Sequence, residues 1–454
     1  MSSELYETVS KLIKLKKFTN LRKIILDMNT VDIAELIDRA TPSEAIIIFR
    51  LLPKEDAAEV FSYMDSETCH QLIKVFTDHE LHSIIDELYI DDVTDLLEEI
   101  PANVVRRILK AVSPEDRKTI NQILNFPENS AGSLITTEFV SLKAKMTVSE
   151  AFNYIRKHGP DKETIYTCYV TDNCRKLLGT VSVKELLLSD ETKTIGEIME
   201  TNVISVFANE HREVAAEAIQ KYDLTVLPVV DTESRLIGII TVDDILDVIE
   251  EEATEDIEKM AAISPADKPY LKMKVFDIFK NRIPWLLVLM LSSTFTGMII
   301  TSFESALASS LILTSFIPMI MSSGGNSGSQ SSVTIIRSLA LGDVTFKDTL
   351  KVMFKEFRVS LFCGFSLGLV NFIKMFLIDS FLYGESITVY VALVVSLTLF
   401  FTVILAKIIG SALPLLAKKI GFDPAVMASP FITTIVDAIS LLIYFEIATI
   451  ILKI

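Results

Sequence analysis

The sequence predicts a multi-domain membrane protein: an α-helical superhelix, then a paired α/β module, then an all-α domain of five transmembrane helices. Three observations carry this. Helix-start signals recur at short spacing from the N-terminus to about residue 128. A strand–helix–strand–strand–helix unit of about 60 residues then occurs twice. After Phe276, apolar runs of about 20 residues, long enough to cross a bilayer, follow one another. The 454 residues are 50% hydrophobic, with a mean hydropathy of +0.42 and a net charge of −17 that falls mainly on the first part. An acidic soluble part argues against nucleic acid and anionic lipid as partners and suits cations.

The expected divisions are 1–129 for the helical domain, 130–194 and 195–253 for the two α/β units, 254–275 for an acidic connecting helix and 276–454 for the membrane domain. Met1 to Asn20 is polar and Lys-rich, without the apolar core of a secretory signal. Cys69, Cys168, Cys174 and Cys363 show no paired spacing, which suits reduced thiols. The N-terminal half is therefore expected in the cytoplasm.

In the first division, Thr41-Pro42-Ser43-Glu44, Asp65-Ser66-Glu67, Thr77-Asp78 and Ser113-Pro114-Glu115-Asp116 place a capping side chain ahead of apolar residues at helical spacing. Consecutive short helices of this kind favour a superhelix. Asp91 and Asp95 share one helix face beside Asp92, which by pattern alone is a solvated acidic face. His70, His79 and His82 read as surface residues.

The first α/β copy runs through Phe139–Leu142, a helix near Val148 to His158, Ile165–Val170 and Leu178–Leu186; the second through Val203–Val206, a helix near Glu213 to Tyr222, Val226–Asp231 and Ile237–Ile245. This order resembles a tandem CBS-domain pair. In that family a Thr or Ser with an acid three residues on can hold a ribose, and Thr241 with Asp244 and Ser182 with Glu185 occupy those positions. The resemblance therefore implies a possible ATP site, without hydrolysis. The second copy runs into Asp243, Asp244, Asp247, Glu250, Glu251, Glu252, Glu255, Asp256 and Glu258, carboxylates that surround a helix and repel unless cations intervene. Hard ions such as Mg²⁺ suit such oxygen ligands.

Spans are expected near 283–303, 305–323, 357–381, 387–410 and 425–451. Lys and Arg fall after spans two and four (Arg337, Lys347, Lys351, Lys355, Arg358; Lys407, Lys418, Lys419), and the loops near Glu304 and from Asp379 to Ser386 hold none. The positive-inside rule then gives a cytoplasmic N-terminus and an external C-terminus. Lys374, inside span three, is expected to snorkel to the outer face.

Two stretches in this domain carry chemistry. Pro318 to Ser331 is packed with Gly324, Gly325, Asn326, Gly328 and Gln330. Polar or irregular backbone survives in hydrocarbon only where protein buries it or a wet cavity meets it, so the stretch suits a permeation wall or close helix packing. Pro318 is expected to interrupt a helix. Asp423-Pro424-Ala425 opens the last apolar segment, and Asp437 lies within it. A carboxylate there costs roughly 2.5–3.5 kcal/mol on insertion scales and by default faces a wet interior and an ion path.

Taken together, the helical domain, the CBS pair, the acidic helix, five spans, the Pro318–Gln330 run, Asp423-Pro424-Ala425 and Thr434-Ile435-Val436-Asp437 resemble the MgtE family of magnesium transporters and channels. The resemblance implies a homodimer with a pore on its two-fold axis, where Asp437 faces hydrated Mg²⁺ with help from Thr433. It implies regulatory Mg²⁺ ligands at Asp223, Asp244, Asp247, Glu252, Glu255 and Asp256, facing Asp91 and Asp95, with Glu213 a weaker match and His211 where relatives often carry an acid. It implies a multi-pass location in the cell membrane, Mg²⁺ entry down its electrochemical gradient, and closure by internal Mg²⁺. No Walker loop or nucleophile–base set suggests an enzyme. The rivals are a nucleotide-regulated channel or secondary transporter for another divalent cation, and a membrane-anchored scaffold.

Overall fold

The protein is described by a computed structural model covering residues 3–266, 270–383, 387–427 and 429–453. It divides into two compact units, Met1–Glu250 and Glu251–Ile454.

The first unit begins with ten short helices among the described residues, from Ser3–Lys14 to Pro114–Ile123. The start signals act as the sequence suggests. Thr41 and Thr77 form capping boxes with Glu44 and Glu80, Asp65 accepts the Glu67 and Thr68 amides, and Ser113 accepts the Asp116 amide. The helix that matters for the site is α1 (Ile90–Glu99). One continuous apolar core runs from Val9 through Ile108 and into the second α/β copy at Leu227 and Ile240.

Each α/β copy forms a three-stranded sheet: β1 (Phe139–Leu142), β2 (Thr164–Thr171), β3 (Leu177–Ser182), and β4 (Val206–Phe207), β5 (Val226–Val230), β6 (Leu236–Thr241). In both, the first pair is parallel and the second antiparallel, with Tyr169 opposite Thr180 and Val229 opposite Gly238. The helices α2 (Val148–His158), α3 (Val183–Leu188) and α4 (Arg212–Tyr222) cover them. Tyr169, Val226, Leu236 and Ile239 join the two sheets in a small shared core. The acidic helix expected to follow the second copy is α5 (Val242–Met260), which grows directly out of β6 and ends at Met260, with Ala262 in the left-handed region; of the expected connecting segment 254–275, residues 267–269 lie outside the described residues.

In the second unit, α6 (Val275–Ser302), α8 (Thr349–Lys374), α9 (Val389–Lys419) and α10 (Ser429–Leu452) lie in four segments long and apolar enough to cross a membrane. The expected second span at 305–323 is corrected. Glu304–Ser309 is a short α-helix and Leu311–Phe316 a short 3-10 helix, and α7 (Ile317–Ala340) is built on the Gly/Ser-rich stretch itself. At about 1.5 Å per residue its 24 residues still reach across a bilayer. Pro318 sits in the first turn, where its fixed φ favours a helix start rather than a break.

Small residues let α7 pack tightly against its neighbours. A Cβ on Gly324 would lie 2.7 Å from Thr402 and 2.8 Å from Ser440, and a Cβ on Gly410 would collide with the Gly328 carbonyl. Gly364 and Gly368 of α8 approach the carbonyls of Phe400 and Ser396. These pairings make α7 parallel to α9 and set α8 and α10 antiparallel to them. Gly410→Leu is therefore expected to separate α7 from α9 and to abolish recovery of monodisperse protein in detergent, whereas Gly297→Leu, at a position with open space, should be tolerated.

Two lysines of this unit meet neighbouring side chains. Lys374, at the end of α8, pairs with buried Asp379 at 3.0 Å across a π turn. Lys407 lies inside α9, 5% exposed, and donates to Ser331, which donates to Glu356 at 2.6 Å. Of the expected outer loop, 384–386 lie outside the described residues.

Candidate functional site

The membrane helices bring together the expected polar groups. Along α7, Gly324, Gly325 and Gly328 are buried against α9 and α10, whereas Ser322, Asn326, Gln330 and Thr334 are exposed at i,i+4 spacing. A helix of spanning length with one exposed polar face is suited to a second copy or to water, not to lipid. On α10, Asp437 makes no ion pair among the described residues, and its Oδ1 is buried without a hydrogen-bond partner. Thr433 lies one turn earlier, packed on Gly325. Ser332 and Thr402 also bury unpartnered hydroxyls. A buried anionic oxygen without a donor is costly unless an ion or ordered water meets it.

Asp423, expected among the pore-lining residues, is engaged locally. It precedes α10, accepts the Ala425 amide at 2.8 Å and pairs with Lys259 at 2.7 Å. An adjacent cation therefore meets its charge.

In the first unit, Asp91 of α1, Glu163 before β2 and Asp244 of α5 each offer a carboxylate oxygen, and these oxygens lie within 4.8 Å of one another. Asp91 is only 8% exposed. Burial, then the Glu163 and Asp244 charges, push its pKa well above the ordinary value. Burial likewise raises Glu163 to about 7, with Thr136 and Thr241 opposing, and Asp244 to about 6, opposed by Thr241. Asp92 beside them is raised to about 7 by burial and by Asp244 and Asp243. Glu163 Oε2 is buried with no hydrogen-bond partner. The three carboxylates fit one hydrated divalent ion, which takes oxygen ligands and keeps part of its water.

The other expected ligands lie outside this cluster. Asp95 is exposed one turn along α1, and Asp247 is exposed on α5. Glu252, Glu255 and Asp256 follow on α5, half-buried. Asp223 ends α4 in the left-handed conformation, φ +51°, a backbone role that Asp tolerates. His211 caps α4 by accepting the Glu213 amide at 3.3 Å, with Glu213 exposed in the first turn. Both ribose pairs are engaged locally: Ser182 with Glu185 in a capping box, and Thr241 donating to Asp244 at 2.7 Å.

Sequence reasoning missed Glu163. Asp161-Lys162-Glu163 reads as a solvated turn, and only the sheet carries it beside Asp91. Because these carboxyls titrate higher folded than unfolded, the folded chain holds more protons between about pH 4 and pH 7. Without divalent ions, stability should fall as pH rises through that window, and Mg²⁺ should flatten the trend. Glu163→Gln is expected to raise the ion-free melting temperature by a few degrees, about 1 kcal/mol, and to shrink the Mg²⁺-induced rise. Thermal melts of the detergent-solubilised chain with EDTA and with Mg²⁺ measure both.

The chain matches the family model described as MgtE, divalent cation transporter, over residues 317–447, the MgtE intracellular N domain over 28–129, and the CBS domain over 131–190 and 195–251. A magnesium transporter MgtE of Thermus thermophilus is 35% identical over 437 residues, 95% of each chain. One from Bacillus subtilis is 31% identical, covering 94% of this chain and 96% of its own. A crystal structure of the cytosolic domain of the Mg²⁺ channel MgtE in complex with ATP superposes with a TM-score of 0.51 at 34% identity, covering 54% of this chain and 99% of that one.

Proposed function

The chain belongs to the MgtE family of divalent cation transporters, and on that footing we propose that it admits Mg²⁺ to the cell down its electrochemical gradient through a path between two copies, and that internal Mg²⁺ closes it. The observation that carries the reading is the unpaired Asp437 carboxylate in a membrane helix, beside the polar α7. Paired on a two-fold axis, two such carboxylates attract a divalent ion with its water shell intact, so no cage must replace that shell. An inside-negative potential favours entry by roughly 2.3 kcal/mol per charge per 100 mV, about 4.6 for a divalent ion.

The soluble carboxylates supply the sensor. At low Mg²⁺, Asp91 on the helical domain repels Glu163 and Asp244 on the CBS pair, and the compact arrangement is disfavoured. At high Mg²⁺ an ion bridges them, with Asp95, Asp247 and the α5 acids adding weaker sites. The ion shifts the balance only by its preference for the compact, closed state. ATP, present in the crystallised cytosolic domain of a relative, would be held at the CBS pair through Thr241 and Asp244 without hydrolysis. The N-terminal domains then lie in the cytoplasm and the C-terminus outside. Mg²⁺ flux into proteoliposomes under a set potential tests this: saturable, potential-driven uptake supports it, and no flux under any internal Mg²⁺ concentration overturns it.

A further inference from the structure

The last turn of α5 meets the inner ends of both helices that carry the polar path. Lys259 Nζ lies 2.7 Å from Asp423 Oδ2 and 2.5 Å from Glu255 Oε1. The other Asp423 oxygen accepts the Ala425 amide at 2.8 Å, which fixes the carboxylate in the turn Pro424–Met427 that leads into α10. The next residue, Met260, packs on Ala425 and on Ile336 of α7. The three charged side chains are only 25–34% exposed. Without the ammonium, two carboxylates from segments far apart in sequence would face each other, and a half-buried pair stripped of its counter-ion pushes apart.

We propose that Lys259 is a built-in counter-ion that latches the end of α5 onto the turn preceding α10, so that closure at this junction is held by the protein's own ammonium and not by a bound divalent ion. Lys259 is a positioning residue. It touches no permeating ion, and acts through the turn that sets where α10, with Thr433 and Asp437, begins. The inference rests on the gating reading above and divides its labour: the Asp91–Glu163–Asp244 cluster senses Mg²⁺, and Lys259 transmits the result to the membrane helices. Asp423 and Glu255, both expected from family likeness to serve the cation machinery, are here satisfied by lysine.

The experiment uses the full chain in proteoliposomes. Lys259→Glu and Asp423→Lys, each placing like charges together, are expected to raise by about tenfold the Mg²⁺ needed on the soluble-domain side to halve the flux. The charge swap Lys259→Asp with Asp423→Lys should bring the midpoint back to within about threefold of the parent. Lys259→Arg should leave the midpoint near the parent value. A flux-independent readout is a carbodiimide cross-link between the Lys259 amine and the Asp423 carboxyl, mapped by mass spectrometry in the Mg²⁺-loaded protein. Reversals that leave the midpoint unmoved, a swap no better than its single reversals, or absence of the cross-link overturns the latch. If the parent chain passes no Mg²⁺ while the cross-link forms, the transport reading fails and the contact stands.

Discussion

Asp437→Asn is expected to abolish Mg²⁺ uptake while the protein still folds and inserts. The carboxylate lies on α10 with one oxygen buried and unpartnered, so the amide replaces it without a clash and removes no ion pair. The loss lies in the field at the path. A divalent ion about 4.5 Å from a carboxylate, at an effective dielectric constant of about 40, gains roughly 3–4 kcal/mol. Removing that from each of two copies lowers ion occupancy by far more than 100-fold. Thr433→Ala, one turn away, loses only a neutral oxygen and should reduce uptake by about tenfold or less. Uptake with magnesium-sensitive dye in vesicles, alongside size-exclusion profiles, separates lost conduction from lost folding. Near-normal uptake by Asp437→Asn would remove this residue from the path.

The second large effect concerns closure. Neutralising Asp91, Glu163 and Asp244 together, to Asn, Gln and Asn, removes both the repulsion that disfavours the compact state and the ion that relieves it. The response to internal Mg²⁺ should flatten, and its midpoint should move by roughly 5- to 150-fold, the usual range of coupling between two sites. Asp95→Asn, at an exposed position on the same helix, should change it little, because solvent screens its charge. Current through excised patches, with Mg²⁺ varied on the soluble-domain side, measures both. A closing curve identical to the parent's would place the sensor elsewhere.

Local signals in the sequence were legible because they act over three or four residues. Thr41, Thr77 and Ser113 cap the helices they precede, and the repeat from Phe139 and from Val206 emerges as two sheets of one topology. The second span was misplaced because apolar run length favours 305–323, whereas tight packing against α9 and α10 rewards the small residues of Ile317–Ala340. Glu163 and the Lys259–Asp423 pair were illegible for a common reason. Their partners are remote in the chain, and nothing beside them in sequence marks the encounter. Asp223 illustrates the converse: an acid at a family position that the sequence marks, whose left-handed backbone at the end of α4 the sequence does not.

The central claim is that carboxylates that no protein cation meets among the described residues, in the membrane and between α1, β2 and α5, are held by a visiting divalent ion. Anomalous diffraction from crystals of the full chain grown with Mn²⁺ in place of Mg²⁺ tests it most directly. The expected map has one peak among Asp91, Glu163 and Asp244 and another beside the Asp437 carboxylate, at a distance that leaves room for water. Asp437 turned toward lipid, with no peak at either place under saturating Mn²⁺, would contradict the account.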